Sequence, residues 1–217
     1  MIKKLQALKA KKGFTLVELI VVIAIIGVLA AILVPTMLGM VTKSRVTSAD
    51  STAKSLRDEI GNWLTDADTA GYGMLKDQSK VDTLTITVSS GAWTVSGFTT
   101  GNYRSNATYT WSASGTGTAG DTKVGKTNPA DLLAIYLADT FSTIQNASIA
   151  ASLRGGSNCV ALAYTADTSS ALTSGTDYPA FDATTGDFDS VDAWDTHTAG
   201  ISSSGYTVGT SPKVDIG

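Results

Sequence analysis

The chain has 217 residues, of which 43% are hydrophobic, which is enough for one domain of ordinary size with an appendage. The formal net charge is −3 at pH 7, but the first 13 residues carry +5 and the remainder −8. Nucleic-acid binders concentrate Lys and Arg on one surface, so an acidic body argues against nucleic acid as a partner. No nucleic-acid site is therefore expected in the folded head of the chain.

A long apolar run follows the basic leader. Residues 16–34 are apolar or glycine except for one carboxylate, Glu18. At 1.5 Å per helical residue the run spans roughly 28 Å, close to the ~30 Å hydrocarbon core of a bilayer. Five lysines before the run predict a cytoplasmic N-terminus and an exported body. An isolated Glu in a bilayer is unfavourable by a few kcal/mol, on the order of 3, so Glu18 is a candidate functional residue.

A secretory signal peptide or a plain signal anchor shares this plan of a basic start followed by an apolar run. A signal peptide usually has a shorter apolar part with small residues at a cleavage site after it. A signal anchor tolerates the length of the run but gives no reason for Glu18. Both alternatives are therefore disfavoured.

The N-terminal sequence resembles that of bacterial type IV prepilins and the related pseudopilins. The residues that carry the resemblance are Lys11-Lys12-Gly13-Phe14-Thr15-Leu16-Val17-Glu18-Leu19, continuing through Gly27 to Pro35. In that family a membrane peptidase cuts after the glycine and methylates the new N-terminal amine. The resemblance covers about the first 50 residues, and it implies processing between Gly13 and Phe14 with N-methylation of Phe14.

The resemblance also implies a structural role and no enzymatic activity. The chain is expected to be a type IV pilin, the major subunit of an extracellular filament used for adhesion, motility or DNA uptake. Implied partners are identical pilin subunits, the prepilin peptidase and methyltransferase, a membrane assembly platform, and the inner membrane before assembly. The alternatives are a pseudopilin of a type II secretion or competence system, a minor pilin, or, in a different class, a membrane-tethered adhesin or receptor.

Residues of the apolar run are expected to serve assembly. A carboxylate at Glu18 becomes favourable in hydrocarbon when it forms a charge-assisted pair with the Phe14 ammonium of a neighbouring subunit. Gly27 and Pro35 weaken a helix, because glycine is about 1 kcal/mol less favourable than alanine and proline removes a hydrogen bond. The segment between them is predicted to loosen during packing.

Beyond Pro35 the pattern becomes amphipathic. One apolar stripe recurs at spacings of three and four residues, through Val46, Ala49, Ala53, Leu56, Ile60 and Trp63. We predict a cleaved cytoplasmic leader at 1–13, a membrane or filament-core helix at 14–35, an amphipathic helix at 36–66 and a globular exposed head at 67–217.

The sequence of the head predicts several strands and one further helix. Alternation over residues 84–88 predicts a strand, residues 89–92 a hairpin turn, and residues 108–112 and 159–165 two more strands. Asn128-Pro129 predicts a helix start, with apolar residues continuing until Gly155-Gly156 ends it. Short strands are predicted near 206–208. The predicted fold class is α+β: a pilin fold whose long N-terminal helix, half protruding and apolar, packs on an antiparallel sheet.

Three other features bear on chemistry. Cys159 is the only cysteine, which excludes an intrachain disulfide, departs from many Gram-negative pilins and predicts a buried apolar role. Carboxylates near the C-terminus are weak calcium candidates, namely Asp182, Asp187, Asp189 and Asp192. No other cofactor is expected. His197 is the only histidine and no catalytic motif accompanies it, so no enzyme is predicted.

Overall fold

The computed structural model describes residues 14–72, 79–104, 106–155, 158–189 and 200–214. The chain separates into two compact units between Ser44 and Arg45. One long helix, α1 (Leu16–Thr69), contributes residues to both units. Its 54 residues correspond to about 80 Å of helix, as the sequence predicts.

The second unit contains the part of α1 that carries the predicted apolar stripe. Ala53, Leu56 and Ile60 are fully buried, Ala49 and Trp63 are nearly so, and Val46 is half-buried. These side chains enter a core that also contains the inner faces of the strands. This part of the helix therefore packs on the sheet, as the predicted fold class requires.

Within the described ranges, six antiparallel strands form one sheet, in the order β3-β2-β1-β4-β5-β6. They are β1 (Val81–Ser89), β2 (Ala92–Ser96), β3 (Ser114–Thr118), β4 (Asn146–Arg154), β5 (Asn158–Thr165) and β6 (Gly209–Ser211). A second helix, α2 (Pro129–Thr140), contacts β2 and β3. The α+β class with a long helix on an antiparallel sheet is thus confirmed.

The predicted hairpin joins β1 to β2. Ser90 and Gly91 have φ values of 50° and 78°, which is the left-handed pair that a two-residue type I′ turn requires. The turn fixes the register, with Ser89 opposite Ala92 and Val88 opposite Trp93. Leu84, Ile86 and Val88 are fully buried, as their alternation with threonine predicts.

The strand predicted at residues 108–112 is wrong. Asn106 Oδ1 accepts hydrogen bonds from the backbone N–H groups of Thr108 and Tyr109, at 2.8 and 2.7 Å, and turns the chain there. Trp111 is buried in an aromatic cluster, where the centroid of its ring lies 4.1 Å from that of Tyr103. The next strand, β3, begins at Ser114 instead. The sequence pattern does not indicate β3, because two of its residues are glycines.

The second helix is shorter than predicted. It begins as expected, with Asn128 Oδ1 accepting from Ala130 N at 3.1 Å and proline at the first turn, but it ends at Thr140. Residues 146–154 form β4, a central strand buried on both faces. Burial between β1 and β5 outweighs the helix propensity of its alanines. Gly155, which has a φ of 65°, lies in the connection from β4 to β5. The prediction that it ends a helix is therefore wrong.

The segment after β5 covers the outer face of the central strands. A second apolar cluster joins Ala150 and Ala163 of the sheet to Leu172, Tyr178 and Val208. The predicted strand near 206–208 lies slightly later, at β6, while Thr207 makes only an isolated bridge with Ile201. β5 lies where it was predicted. Its Cys159 is half-buried against the main core, and burial raises the pKa of this thiol to about 12.

Candidate assembly site

The start of α1 places Glu18 in a reciprocal hydrogen-bond pair with Thr15. Glu18 Oε2 accepts from both Thr15 N and Thr15 Oγ1 at 2.8 Å, and Glu18 N donates to Thr15 Oγ1 at 3.2 Å. This arrangement is a capping box, in which the residue before the helix and the third helical residue satisfy each other's free N–H groups. The carboxylate also lies at the positive end of the helix dipole. Glu18 therefore has a fixed position at the helix start.

Thr15 is a site residue that the sequence interpretation missed. Its spacing of three from Glu18 is the capping-box signature, and it directly precedes an apolar run. The apolar surroundings of Glu18 point to a partner in another subunit, whereas the capping-box spacing points to Thr15 of the same chain. Glu18 is in fact already partnered within its own chain.

The apolar side chains of the first unit are exposed. The side chain of Phe14 is 88% exposed. Among the large apolar residues from Phe14 to Val41, the least exposed is Val22, at 48%. Contiguous apolar surface of this extent marks a membrane or protein interaction site. Within the described residues, α1 is the one helix long and apolar enough to cross a membrane, judged by length and composition. The arrangement can bury itself in lipid or against other helices.

Gly27 and Pro35 both lie inside the continuous helix. A Cβ at Gly27 would meet nothing within 4 Å, so the described chain offers no contact that requires glycine there. Beside Pro35, Thr36 Oγ1 donates to Leu33 O at 2.9 Å. The carbonyl that loses its helical N–H donor to the proline is that of Ala31. Loosening between Gly27 and Pro35 concerns packing between subunits, and it stays a prediction.

Several predicted residues fall outside the described residues: Gly13 with the leader, Asp192 and His197. Processing at Gly13 and Phe14, methylation of Phe14 and the boundaries of the four predicted segments likewise stay predictions.

Two of the calcium candidates cap turns. Asp182 Oδ1 accepts from Thr184 N and from the backbone and hydroxyl of Thr185, and the bonds from Thr185 hold the pKa of Asp182 below its ordinary value. Asp187 Oδ1 accepts from Phe188 N at 2.8 Å, and Asp189 N donates to Ala180 O. The described part of the chain contains no group of three or more His, Cys, Asp or Glu able to hold a metal. Calcium binding stays a prediction.

Comparison with known proteins matches the start of the chain. A family model described as "Prokaryotic N-terminal methylation motif" matches residues 8–34. A "Fimbrial protein" of Pseudomonas aeruginosa is 48% identical over 50 residues, which are 23% of this chain and 32% of that protein. The "Type IV major fimbrial protein FimA" of Dichelobacter nodosus is 41% identical over 61 residues, 28% of this chain and 39% of that protein.

The matches cover a small part of the chain. The chain spans about a third of the length of the curated relatives it matches. No solved structure matches the chain at a significant level. The matched residues nevertheless include Phe14, Glu18 and Gly27, and they lead into a helix packed on an antiparallel sheet. The predicted resemblance is therefore confirmed: the N-terminal segment of this chain is similar to that of proteins named as type IV fimbrial proteins.

Proposed function

We propose that the chain is a structural subunit of a type IV pilus, which polymerises through α1 and performs no catalysis. The observation that carries the proposal is the exposed apolar segment of residues 16–41, which begins with a capped carboxylate. The methylation motif over residues 8–34 and the relatives named as fimbrial proteins support the same function.

Energetics explain why one carboxylate matters in so apolar a segment. Lipid tails are as apolar as leucine, so moving residues 16–41 from a bilayer to a core of packed helices changes the free energy of burial little. The directional contribution must then come from polar groups. Glu18 pairing with the amine of a neighbouring Phe14 supplies a charge-assisted hydrogen bond that exists only between subunits.

The capping box is compatible with this pairing. Thr15 engages Glu18 Oε2, and no hydrogen bond from the described residues reaches Oε1. A carboxylate has about four acceptor sites, so one oxygen can stay in the cap while the other accepts from a neighbour. Glu18 would therefore keep its position in the helix while it docks.

The proposal includes the partners and locations implied by the motif. A prepilin peptidase would cleave after Gly13 and methylate Phe14, and the subunit would wait in the cytoplasmic membrane before an assembly platform adds it to an extracellular filament. Identical subunits are the main partners. Adhesion, motility or DNA uptake would be activities of the filament and of other components.

Mass spectrometry of the N-terminus tests the processing step. Protein purified from producing cells should begin at Phe14 and carry one N-terminal methyl group. An intact leader would contradict pilin processing and favour a membrane-tethered adhesin or receptor.

Electron microscopy of sheared surface filaments, labelled with antibody to the head, tests the assembly step. Label should lie along the whole filament length, as a major subunit requires. Label at the tips only would identify a minor pilin, and filaments without label would contradict the proposal. Short filaments confined to the periplasm would identify a pseudopilin.

A further inference from the structure

The sheet has two edge strands, β3 and β6, and both are closed by helix side chains. An edge strand normally presents unpaired N–H and C=O groups, which invite pairing with a strand of another molecule. Natural proteins reduce this risk by covering or blocking the edge. The contacts at both edges of this sheet follow one pattern.

At β3, side-chain oxygens accept from outward N–H groups along the edge. Thr116 N donates to Asp131 Oδ1 at 2.9 Å, and Asn128 Nδ2 donates to the outward carbonyl of Ser114 at 3.0 Å. The same pattern continues to the last residue of β3 and beyond both ends: Ser112 N donates to Asn128 Oδ1, Thr118 N to Asp121 Oδ2 and Gly120 N to Asp139 Oδ1, at 2.8–3.2 Å. Most of these acceptors come from α2 or its N-cap.

Two glycines allow the helix to come this close. Gly115 and Gly117 point their α-carbons at α2, and a Cβ at either position would overlap the backbone of Ala130 or Ile135. A strand with larger residues would hold α2 too far away for Asp131 to reach the Thr116 N–H group. The glycines and the carboxylate therefore work together.

At β6 the arrangement recurs with α1. Thr210 N donates to Asp50 Oδ1 at 3.0 Å, and this is the outward N–H group of a strand whose other neighbour is β5. A Cβ at Gly209 would overlap the backbone of Ala49, so here too a glycine permits close approach of a helix. Each edge presents a Gly-Thr pair, Gly115-Thr116 or Gly209-Thr210, and the threonine N–H donates to a helix aspartate.

We propose that these aspartates and glycines block the addition of a strand from another head. The residues are Asp131 with Gly115 and Gly117 at β3, and Asp50 with Gly209 at β6. A donor that is already bonded to a carboxylate offers nothing to an incoming strand, and charged side chains along an edge repel further pairing. If the chain is a pilus subunit, heads held at high local concentration along a filament stay separate. Only that consequence rests on the proposed function.

The test uses the full chain in detergent micelles, which cover the apolar segment of α1. Asp131→Ala frees the Thr116 N–H group, while Asp131→Asn keeps a side-chain oxygen and serves as the matched control. Amide hydrogen exchange at Thr116 should become at least about tenfold faster in Asp131→Ala only. That variant should also associate as its concentration rises, with thioflavin T fluorescence, while its near-UV circular dichroism stays native.

A rescue variant separates edge closure from general destabilisation. Adding Thr116→Pro to Asp131→Ala removes the freed donor at a position where an edge strand tolerates proline. The double variant should associate no more than the original protein. The proposal would be overturned if the single and double variants associated equally. It would also be overturned if Asp131→Ala folded normally and then exchanged and associated like the original protein.

The second edge gives an independent comparison. If Asp131→Ala unfolds, Asp50→Ala against Asp50→Asn poses the same question at Thr210. Faster exchange and association in Asp50→Ala alone supports closure, and identical behaviour of the two folded variants contradicts it. Because neither measurement uses filaments, failure here leaves the assembly proposal separately testable.

Discussion

Thr15 determines where α1 begins and where the Glu18 carboxylate lies. Its hydroxyl accepts from Glu18 N, and its own N–H and hydroxyl donate to Glu18 Oε2. The spacing Thr-x-x-Glu was present in the sequence, so this half of the site was predictable from it. Whether Oε1 meets a neighbouring amine depends on a second subunit, which the sequence and structure of a single chain do not contain.

Replacing Thr15 by valine should loosen the helix start. Valine keeps the shape but removes the hydroxyl, and loss of an N-cap side chain destabilises a helix by about 1 kcal/mol. The N–H groups of Glu18 and Leu19 donate to Thr15 Oγ1 and Thr15 O, and their exchange, measured in detergent, should become roughly fivefold faster. Thr15→Ser keeps the hydroxyl and should match the original protein. Equal exchange in Thr15→Val and Thr15→Ser would show that the capping box contributes nothing.

Tyr136 links the two helices at the residue scale. Its hydroxyl donates to Glu59 Oε2 at 2.6 Å, and this bond, with burial, raises the pKa of Tyr136 to about 12 from an ordinary value of 10.0. A raised tyrosine pKa means that the protonated form is favoured by folding. Its stabilising contribution is therefore complete below pH 10 and is lost as the pH rises through about 12.

Tyr136→Phe should lower the free energy of unfolding by about 1 kcal/mol at neutral pH, a typical value for one hydrogen bond. Thermal unfolding followed between pH 8 and 12 should show the difference between variant and original shrinking above pH 10. Subtracting the two curves removes the other tyrosines from the comparison. A constant difference up to pH 12 would contradict the role assigned to the hydroxyl.

At the scale of elements, β3 depends on close contact with α2. Gly117→Ala should destabilise the head by about 2 kcal/mol, because its Cβ would overlap the backbone of Ile135, which cannot move without shifting the helix. Gly61, in α1, is the control, since nothing lies within 4 Å of a Cβ there. Gly61→Ala should stabilise by about 0.5–1 kcal/mol. Chemical denaturation of both variants in detergent gives the comparison, and similar stability would rule out the tight β3–α2 contact.

Local patterns predicted some elements and misled on others for identifiable reasons. β1, β2 and their turn follow from alternation and a glycine turn, and β5 from a run of apolar residues. β3 and β4 did not, because glycine and alanine favour a strand only where neighbours bury them. The contact of Gly115 with α2 and the burial of β4 on both faces arise from tertiary structure.

At the scale of the whole molecule, the two units differ in how their apolar side chains are covered. The described residues between 45 and 214 form a core without a disulfide, since Cys159 is the only cysteine of the sequence and packs against that core. Residues 16–41 expose their apolar side chains and depend on lipid or other subunits to cover them. This division between a packed head and an exposed apolar helix is consistent with the polymerising subunit proposed above.

The most direct test of this account is the yield of sheared filaments from cells producing Glu18→Ala, with membrane levels of the subunit measured in parallel. We expect at least about a tenfold loss of filaments at an unchanged membrane level, because the variant keeps its apolar helix but loses the carboxylate that we propose to pair with Phe14 of a neighbour. Unchanged filament yield would contradict assembly through Glu18.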